Sequence, residues 1–408
     1  MFLFPINRVP DEMNHARMTW ETFHKPTENS FKWMDEIPSN DKVKPKEYKQ
    51  LLARKIEMKN EPFKVGISLK TISFLPQLIG MTIGSWISPS VGMIIYMGRI
   101  FNALAYILGL YFLIRYFKYG KTALMFISLL PIMVQQASSL SYDVMNYLEV
   151  MLAIGFITNL AYSKRFTNRN FVQVIGLAIL LLATKPNNIL LLGLIPFVSF
   201  EFKGVLKVLN RPFESLKIIV SRYKFVFYLL LLITIGFILQ FLMRNEGGLV
   251  HYIHVLLNTL VNARQNGDLN SILTIGVFGY LGNFTLQLPL WLIFIDIAVL
   301  VLIFLANEED FFSKDFSIFA AWLFPIQVLA TVTVMYLQWT PIVLGHGASV
   351  SVGSQGRYFT PFLILFLPLV ANLGNFEISQ NKVLKISTIT LLVNFLISIF
   401  LIIPFYWM

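Results

Sequence analysis

Pro10-Asp11-Glu12, followed by His15, places two carboxylates and an imidazole within one short stretch. Asp11 and His15 stand at i and i+4, so on a helix they share a face. A carboxylate here could act as the general base that takes a proton from a sugar hydroxyl. Asp11 and His15 could instead hold a divalent metal ion between them, although the spacing matches no zinc signature. Proline at the first helical position with acids in the first turn is also how an ordinary helix begins. The spacing leaves a catalytic role for Asp11, Glu12 and His15 and a structural role both open.

A second set is cationic: Arg99, Lys185 and Arg357. Arg99 falls about ten residues into an apolar stretch, where a charge costs about 2.5–3.5 kcal/mol on insertion scales. It must face a cavity or a partner, and Glu149 and Asp296 are the intramembrane acids available for a structural pair. The alternative is that these cations bind a lipid phosphate. A third set is Gln135-Gln136-Ala137-Ser138-Ser139-Leu140-Ser141-Tyr142-Asp143, with Asn146 one turn later. Asp143 reads either as a helix N-cap or as part of a site lining. His251, His254 and His346 read as structural.

The elements that must position these groups are membrane helices. Apolar residues make up 56% of the 408-residue chain and charged residues 13%, the composition of a polytopic membrane protein. There is no cysteine, which excludes a disulfide framework, a thiolate nucleophile and a Cys-based metal site. The net charge of +11 goes with Lys and Arg in loops on one side of a membrane, and no nucleic-acid motif accompanies it. No phosphate-binding loop, dinucleotide fingerprint, zincin or triad motif is present.

Hydropathy predicts an all-α bundle of ten spans: 89–114, 122–138, 143–162, a short pair 171–184 and 187–200, then 225–243, 289–306, 316–336, 358–373 and 384–406. Residues 1–88 form a first extracytoplasmic loop with juxtamembrane helices, and 89–408 form the bundle. Within 1–88, residues 45–59 read as a surface helix and 65–87 as an interfacial helix pair broken at Pro76, Gly80 and Gly84. Outer loops fall at 244–288, with a surface helix over 249–264, and at 337–357. Loop charge settles the pairing of 171–184 with 187–200. Counting them as two crossings puts fifteen Lys and Arg in one set of loops and four in the other, as the positive-inside rule requires. Lys185 then lies near the outer face, and Asp11 outside. Six mostly apolar residues before Arg8 are too few to span, so a membrane helix preceding Pro10 is expected and missing from the chain.

Four stretches together resemble the bacterial family of predicted membrane proteins called domain of unknown function 2142. They are Val9-Pro10-Asp11-Glu12 with His15; Phe74-Leu75-Pro76-Gln77-Leu78-Ile79-Gly80 followed by Arg99 and Asn102; Leu130-Pro131 followed by Ala137 to Asp143; and Gly353-Ser354-Gln355-Gly356-Arg357-Tyr358-Phe359-Thr360-Pro361. Lys185-Pro186 falls where the family also places Lys-Pro. Members usually carry a membrane helix before Pro-Asp-Glu, which is where this chain departs.

That family is similar in architecture to the C-type glycosyltransferases, which use polyprenyl-phosphate-linked sugars and place an acid in the first outer loop. The resemblance implies a multi-pass protein of the bacterial plasma membrane. It would move a sugar from a polyprenyl-phosphate carrier to a cell-envelope glycan acceptor, with a divalent metal as a candidate cofactor. Asp11 or Glu12 would activate the acceptor, and His15 would orient that acid or help hold the metal. Arg99, Lys185 and Arg357 would stabilise the lipid phosphate, with Asp143, Gln355 and Tyr358 lining the pocket. A ligase of lipid-linked glycans is a variant of the same reading. The competing class is a flippase or an accessory subunit for polysaccharide export, which requires a continuous polar path through Arg99, Glu149 and Asp296.

Overall fold

The computed structural model describes residues 3–24, 32–39, 42–262, 273–306, 312–373 and 378–408. Parts of the expected loops 244–288, 307–315 and 374–385, and the end of the expected helix 249–264, lie outside the described residues. Among the described residues the fold is helical, with two short two-stranded ladders, Arg165–Phe166 with Glu201–Phe202 and Tyr280–Leu281 with Leu286–Gln287.

Small helices come first: α1 (Glu12–Trp20), α2 (Lys32–Asp35) and α3 (Pro45–Ala53). Then follow α4 (Thr71–Ile87), α5 (Val91–Tyr116), α6 (Lys121–Ser128), α7 (Pro131–Ala137), α8 (Asp143–Ser163) and α9 (Asn168–Thr184). After a 3₁₀ run over Pro186–Phe197 come α10 (Asn210–Arg222), α11 (Lys224–Leu242) and α12 (Gly248–Leu260). The rest is α13 (Leu290–Leu305), α14 (Lys314–Gln338), α15 (Thr340–Leu344), 3₁₀ turns over Gly356–Tyr358 and Thr360–Phe366, α16 (Leu367–Ala371) and α17 (Gln380–Tyr406). Among the described residues, α5, α8, α11, α14 and α17 are long and apolar enough to cross a membrane. Six further apolar segments are shorter.

Three expectations change. The apolar run 122–138 is two helices, because Pro131 has no N–H to continue α6 and instead opens α7. The run 187–200 is mostly 3₁₀, about 24 Å over twelve residues at ~2.0 Å per residue. The expected helix pair at 65–87 is one helix, α4. Its glycines do not break it; they let it lie against α5. A Cβ on Gly80 would sit 2.4 Å from the Met97 carbonyl oxygen, and one on Gly84 2.8 Å from that of Met93. This is the small-residue packing by which membrane helices approach closely.

A large apolar core joins α5 to α9, α13, α14 and α17. A second cluster covers the start of the chain. Ile6, Ala16, Trp20, Trp33 and Met34 pack on Met81 of α4, Ile94 and Ile95 of α5, and Leu140. The amino-terminal segment is thus clamped to the membrane helices. It is also tied to the carboxyl end, where Trp407 Nε1 donates to the Leu3 carbonyl at 2.7 Å and Val43 N–H to that of Tyr406 at 2.7 Å.

Candidate functional site

The first helix starts at Glu12, and Asp11 is its N-cap residue. Asp11 is held in the left-handed region, φ 63°, which aspartate tolerates better than most residues. Its carboxylate caps no helical N–H. It leaves the helix and meets the other end of the chain. Arg357 Nη2 donates to Asp11 Oδ2 at 2.7 Å, and Gln355 Nε2 donates to the same oxygen at 3.1 Å. An ordinary helix start therefore does not describe Asp11.

Arg357 also holds a second acid. Its Nε donates to Asp143 Oδ2 at 3.1 Å, and Lys185 Nζ donates to Asp143 Oδ1 at 2.8 Å. Asp11, Arg357, Asp143 and Lys185 form one network of alternating charge, drawn from α1, the Gly356–Tyr358 turn, the start of α8 and the break after α9. Asp143 is sealed, whereas the Asp11 side chain keeps 33% of its surface and Lys185 keeps 14%. Aromatic faces wall the cations, with Lys185 Nζ 3.7 Å from the Tyr358 ring centroid and 5.3 Å from that of Tyr142. The His15 ring lies 4.3 Å from Tyr142, centroid to centroid, and its buried Nδ1 has no hydrogen-bond partner.

Burial works against the Asp11 charge, but Arg357 outweighs it and holds the carboxyl below its ordinary range. Burial pushes the His15 imidazole down, and the carboxylates of Asp11 and Asp143 offset this only in part. The network is accordingly two acids against two cations with a neutral imidazole beside them.

A polar seam sets the depth of Lys185. Along α8, Asp143, Asn146 and Glu149 follow at i, i+3 and i+6. They meet Lys185, Asn188 at 2.6 Å and Thr184 at 2.6 Å respectively. From the other side, Asn187 Nδ2 donates to Gln327 and Thr331 of α14, at 3.1 and 3.2 Å. Thr184-Lys185-Pro186-Asn187-Asn188 is thus a pinned break. The spacing of the three α8 residues was the signal for it, and sequence reasoning registered only the interruption.

Glu12 and Arg99 go elsewhere. Arg99 Nε and Nη2 donate to the two Glu12 oxygens, both at 2.7 Å. Leu140 N–H, at 3.1 Å, and Asn7 N–H, at 2.9 Å, fill the remaining acceptor positions of Glu12. Arg99 also donates to the carbonyls of Phe4 and Pro5. Both side chains are fully buried. The expected partners Glu149 and Asp296 are overturned: Glu149 meets Thr184, and Asp296 accepts from Asn394 Nδ2 at 2.6 Å. The reason is reach from outside the bundle. The segment 4–12 inserts its own acid and carbonyls beside Arg99. Asn102, one helical turn on, fastens the adjoining turn through the Ser139 and Ser141 carbonyls.

The residues present do not fit a divalent metal ion at Asp11 and His15. Asp11 already has a guanidinium at 2.7 Å, and no group of three or more ligating side chains occurs among the described residues. The four remaining histidines sit apart: His24 stacks on Trp20, His346 pairs with Glu246 at 2.5 Å, His251 meets the Ala348 carbonyl, and His254 is exposed.

The network draws on residues that a family model spans. The DUF2142 model, described as a predicted membrane protein, matches residues 36–366. The chain belongs to this family. The DUF2142 match includes Arg99, Asp143, Lys185, Gln355, Arg357 and Tyr358 and begins after Asp11, Glu12 and His15. No curated protein and no solved structure matches the chain.

Proposed function

We propose that this DUF2142 member is a membrane glycosyltransferase of the bacterial plasma membrane, working on the extracytoplasmic face. It moves a sugar from a polyprenyl-phosphate carrier to a cell-envelope glycan acceptor. The observation that carries this reading is the half-open charge network: one partly exposed acid, Asp11, joined through Arg357 to a buried acid and a second cation. Fixed cations beside an acid suit a displacement in which a proton is removed on one side and a phosphate leaves on the other.

In that reaction the acceptor hydroxyl oxygen attacks the anomeric carbon, and Asp11 takes the hydroxyl proton. The bond from the anomeric carbon to the carrier phosphate breaks, and the phosphate departs with the electron pair. Lys185 and Arg357 supply the compensating charge. Asp11 at rest is a weak base, because Arg357 holds its carboxyl down. A phosphate that draws the guanidinium toward itself raises the basicity of Asp11 when the base is needed. Gln355 keeps the carboxylate aimed, and Tyr358 walls the cations. Glu12 and Arg99 have no free position for substrate and belong to the scaffold.

No observation favours the transport alternative. Arg99, Glu149 and Asp296 are engaged with Glu12, Thr184 and Asn394, at three separate contacts. The test is sugar transfer from polyprenyl-phosphate hexoses by the full chain in nanodiscs. Asp11→Asn is expected to lower the rate by about 10²–10⁴-fold, the span of general-base effects. Retention of the full rate sinks the assignment.

A further inference from the structure

The half of the bundle away from the charge network carries a groove. α5 and α9 both pack against α8, and the groove lies between them. Leu152 and Phe156 of α8 floor it. They stand about 14–20 Å along the helix from Asp143, at ~1.5 Å per residue. One wall is Tyr116, the last residue of α5, and the other is Gln173, Gly176, Leu177 and Leu180 of α9. Its free volume is about 230 Å³. An apolar cavity of about 150 Å³ already takes a benzene ring, so this groove has room for a stretch of hydrocarbon chain.

The flanking helices expose apolar side chains at this depth, Ile107 and Phe112 on α5 and Val172, Ile175 and Ile179 on α9, so the surroundings are lipid. Gly80 and Gly84 lack side chains to admit a neighbouring helix. Gly176 does not, since a Cβ there would meet no other segment within 4 Å. Charge then narrows the choice of lipid. Residues 173, 176, 177 and 180 follow at i, i+3, i+4 and i+7 and form one stripe of α9. Arg169, four residues before Gln173, continues that stripe one turn toward the helix start. Its side chain is exposed, lies within electrostatic reach of the Tyr116 hydroxyl, and makes no ion pair among the described residues. The loops at this end, 115–121 and 163–170, hold six Lys and Arg and no acid. Asn159 of α8 fixes the Tyr116 wall, donating from Nδ2 to the Tyr116 carbonyl at 2.8 Å and accepting at Oδ1 from Lys118 N–H at 2.9 Å.

We infer that this groove holds an acyl chain of an anionic phospholipid, with Arg169 and the neighbouring loop cations on its headgroup phosphate. The apolar floor and the α9 stripe take the chain. Gln173 and Tyr116 stand where the chain gives way to the glycerol esters, whose carbonyls accept from the amide and the hydroxyl. The cations lie beyond them, where the phosphate emerges. In the orientation that loop charge gives, this is the cytoplasmic leaflet. Lipid binding here is separate from sugar transfer and does not depend on it.

The test gives the purified full chain, in detergent, an excess of phosphatidylglycerol or of phosphatidylcholine with identical acyl chains. Native mass spectrometry then counts the lipid that each molecule keeps. Phosphatidylglycerol should persist under washing that strips phosphatidylcholine. Gly176→Phe puts a ring into the groove and should abolish that retention, whereas Gly176→Ala should keep it. Arg169→Gln leaves the groove open at an exposed position. It should lower phosphatidylglycerol retention about fivefold, the worth of one cation at a membrane surface, and leave phosphatidylcholine unchanged. Thermal unfolding of the same samples is a second readout, since phosphatidylglycerol should raise the midpoint of the wild type more than that of Gly176→Phe. Equal retention of the two lipids describes an ordinary lipid annulus and overturns the inference. Full phosphatidylglycerol retention in Gly176→Phe overturns it as well. If the phenylalanine variant does not fold, Arg169→Gln decides, and undiminished retention there has the same consequence.

Discussion

Asp11 and Glu12 are neighbours of the same chemical type, and they end in opposite circumstances. Glu12 is sealed against Arg99, every acceptor position filled, at 0% exposure for both side chains. Asp11 turns outward at φ 63°, shares its guanidinium with Asp143 and keeps a third of its surface. Around Glu12 the donors and acceptors balance. Around Asp11 they do not: His15 Nδ1, Arg357 Nη1 and Gln355 Oε1 have no partner. A buried ion pair with complete hydrogen bonding is a clamp, whereas an incompletely satisfied network with an open edge is where a ligand can be accommodated. One peptide bond separates the two roles.

The largest effect should come from breaking the clamp. Glu12→Gln leaves a buried guanidinium beside a neutral amide, and losing one partner of a buried pair costs about 3–5 kcal/mol. Asp11→Asn should cost much less, because asparagine tolerates the left-handed backbone and Arg357 retains Asp143. Unfolding midpoints of the purified variants measure this directly. A stable Glu12→Gln beside an unfolded Asp11→Asn would reverse the comparison.

A second, smaller effect separates scaffold from site without touching a charge. Gly80→Ala drives a Cβ to 2.4 Å from the Met97 carbonyl oxygen and 2.8 Å from Gly98 Cα, both backbone atoms that cannot swing aside. Overpacking of this kind costs about 1–3 kcal/mol. The strain falls next to Arg99 and away from Arg357. Thermal stability should drop while the transfer rate per folded molecule holds. A rate that falls in step with Asp11→Asn would mean that the α4–α5 contact shapes the site as well.

How much of this was legible in the sequence follows from what each signal reports. In an apolar chain the polar residues stand out, so Asp11, Asp143, Lys185, Gln355, Arg357 and Tyr358 could all be singled out before any geometry was known. Their meeting could be inferred only from family resemblance, since Asp11 and Gln355 are 344 residues apart. The partner of Arg99 was misjudged because hydropathy puts acids and cations at depths along spans. Glu12 comes from a segment that folds back between the helices, 87 residues away. Hydropathy also measures apolar length and not hydrogen-bond pattern. It therefore read 122–138 as one helix where Pro131 divides it, and could not see that 186–197 winds as 3₁₀.

The smallest effect should appear in the pH dependence of stability, and it too separates the two acids. Burial lowers the His15 pKa below the ordinary ~6.5 of the unfolded chain. As pH falls through that value the unfolded chain takes up a proton before the folded one does, so stability falls with it. Asp11 acts further down. Its carboxyl is depressed in the fold, so its contribution is present above the unfolded carboxylate value near ~3.9 and is lost as pH falls through the folded value. His24, stacked on Trp20 and also lowered by burial, adds to the wild-type slope near neutrality. The informative quantity is therefore a difference between variants. Unfolding midpoints from pH 8 to pH 5 should fall less steeply in His15→Gln than in the wild type and no less steeply in Asp11→Asn, which removes a charge that holds the His15 pKa up. An undiminished slope in His15→Gln would mean that burial in the open network does not hold the imidazole neutral.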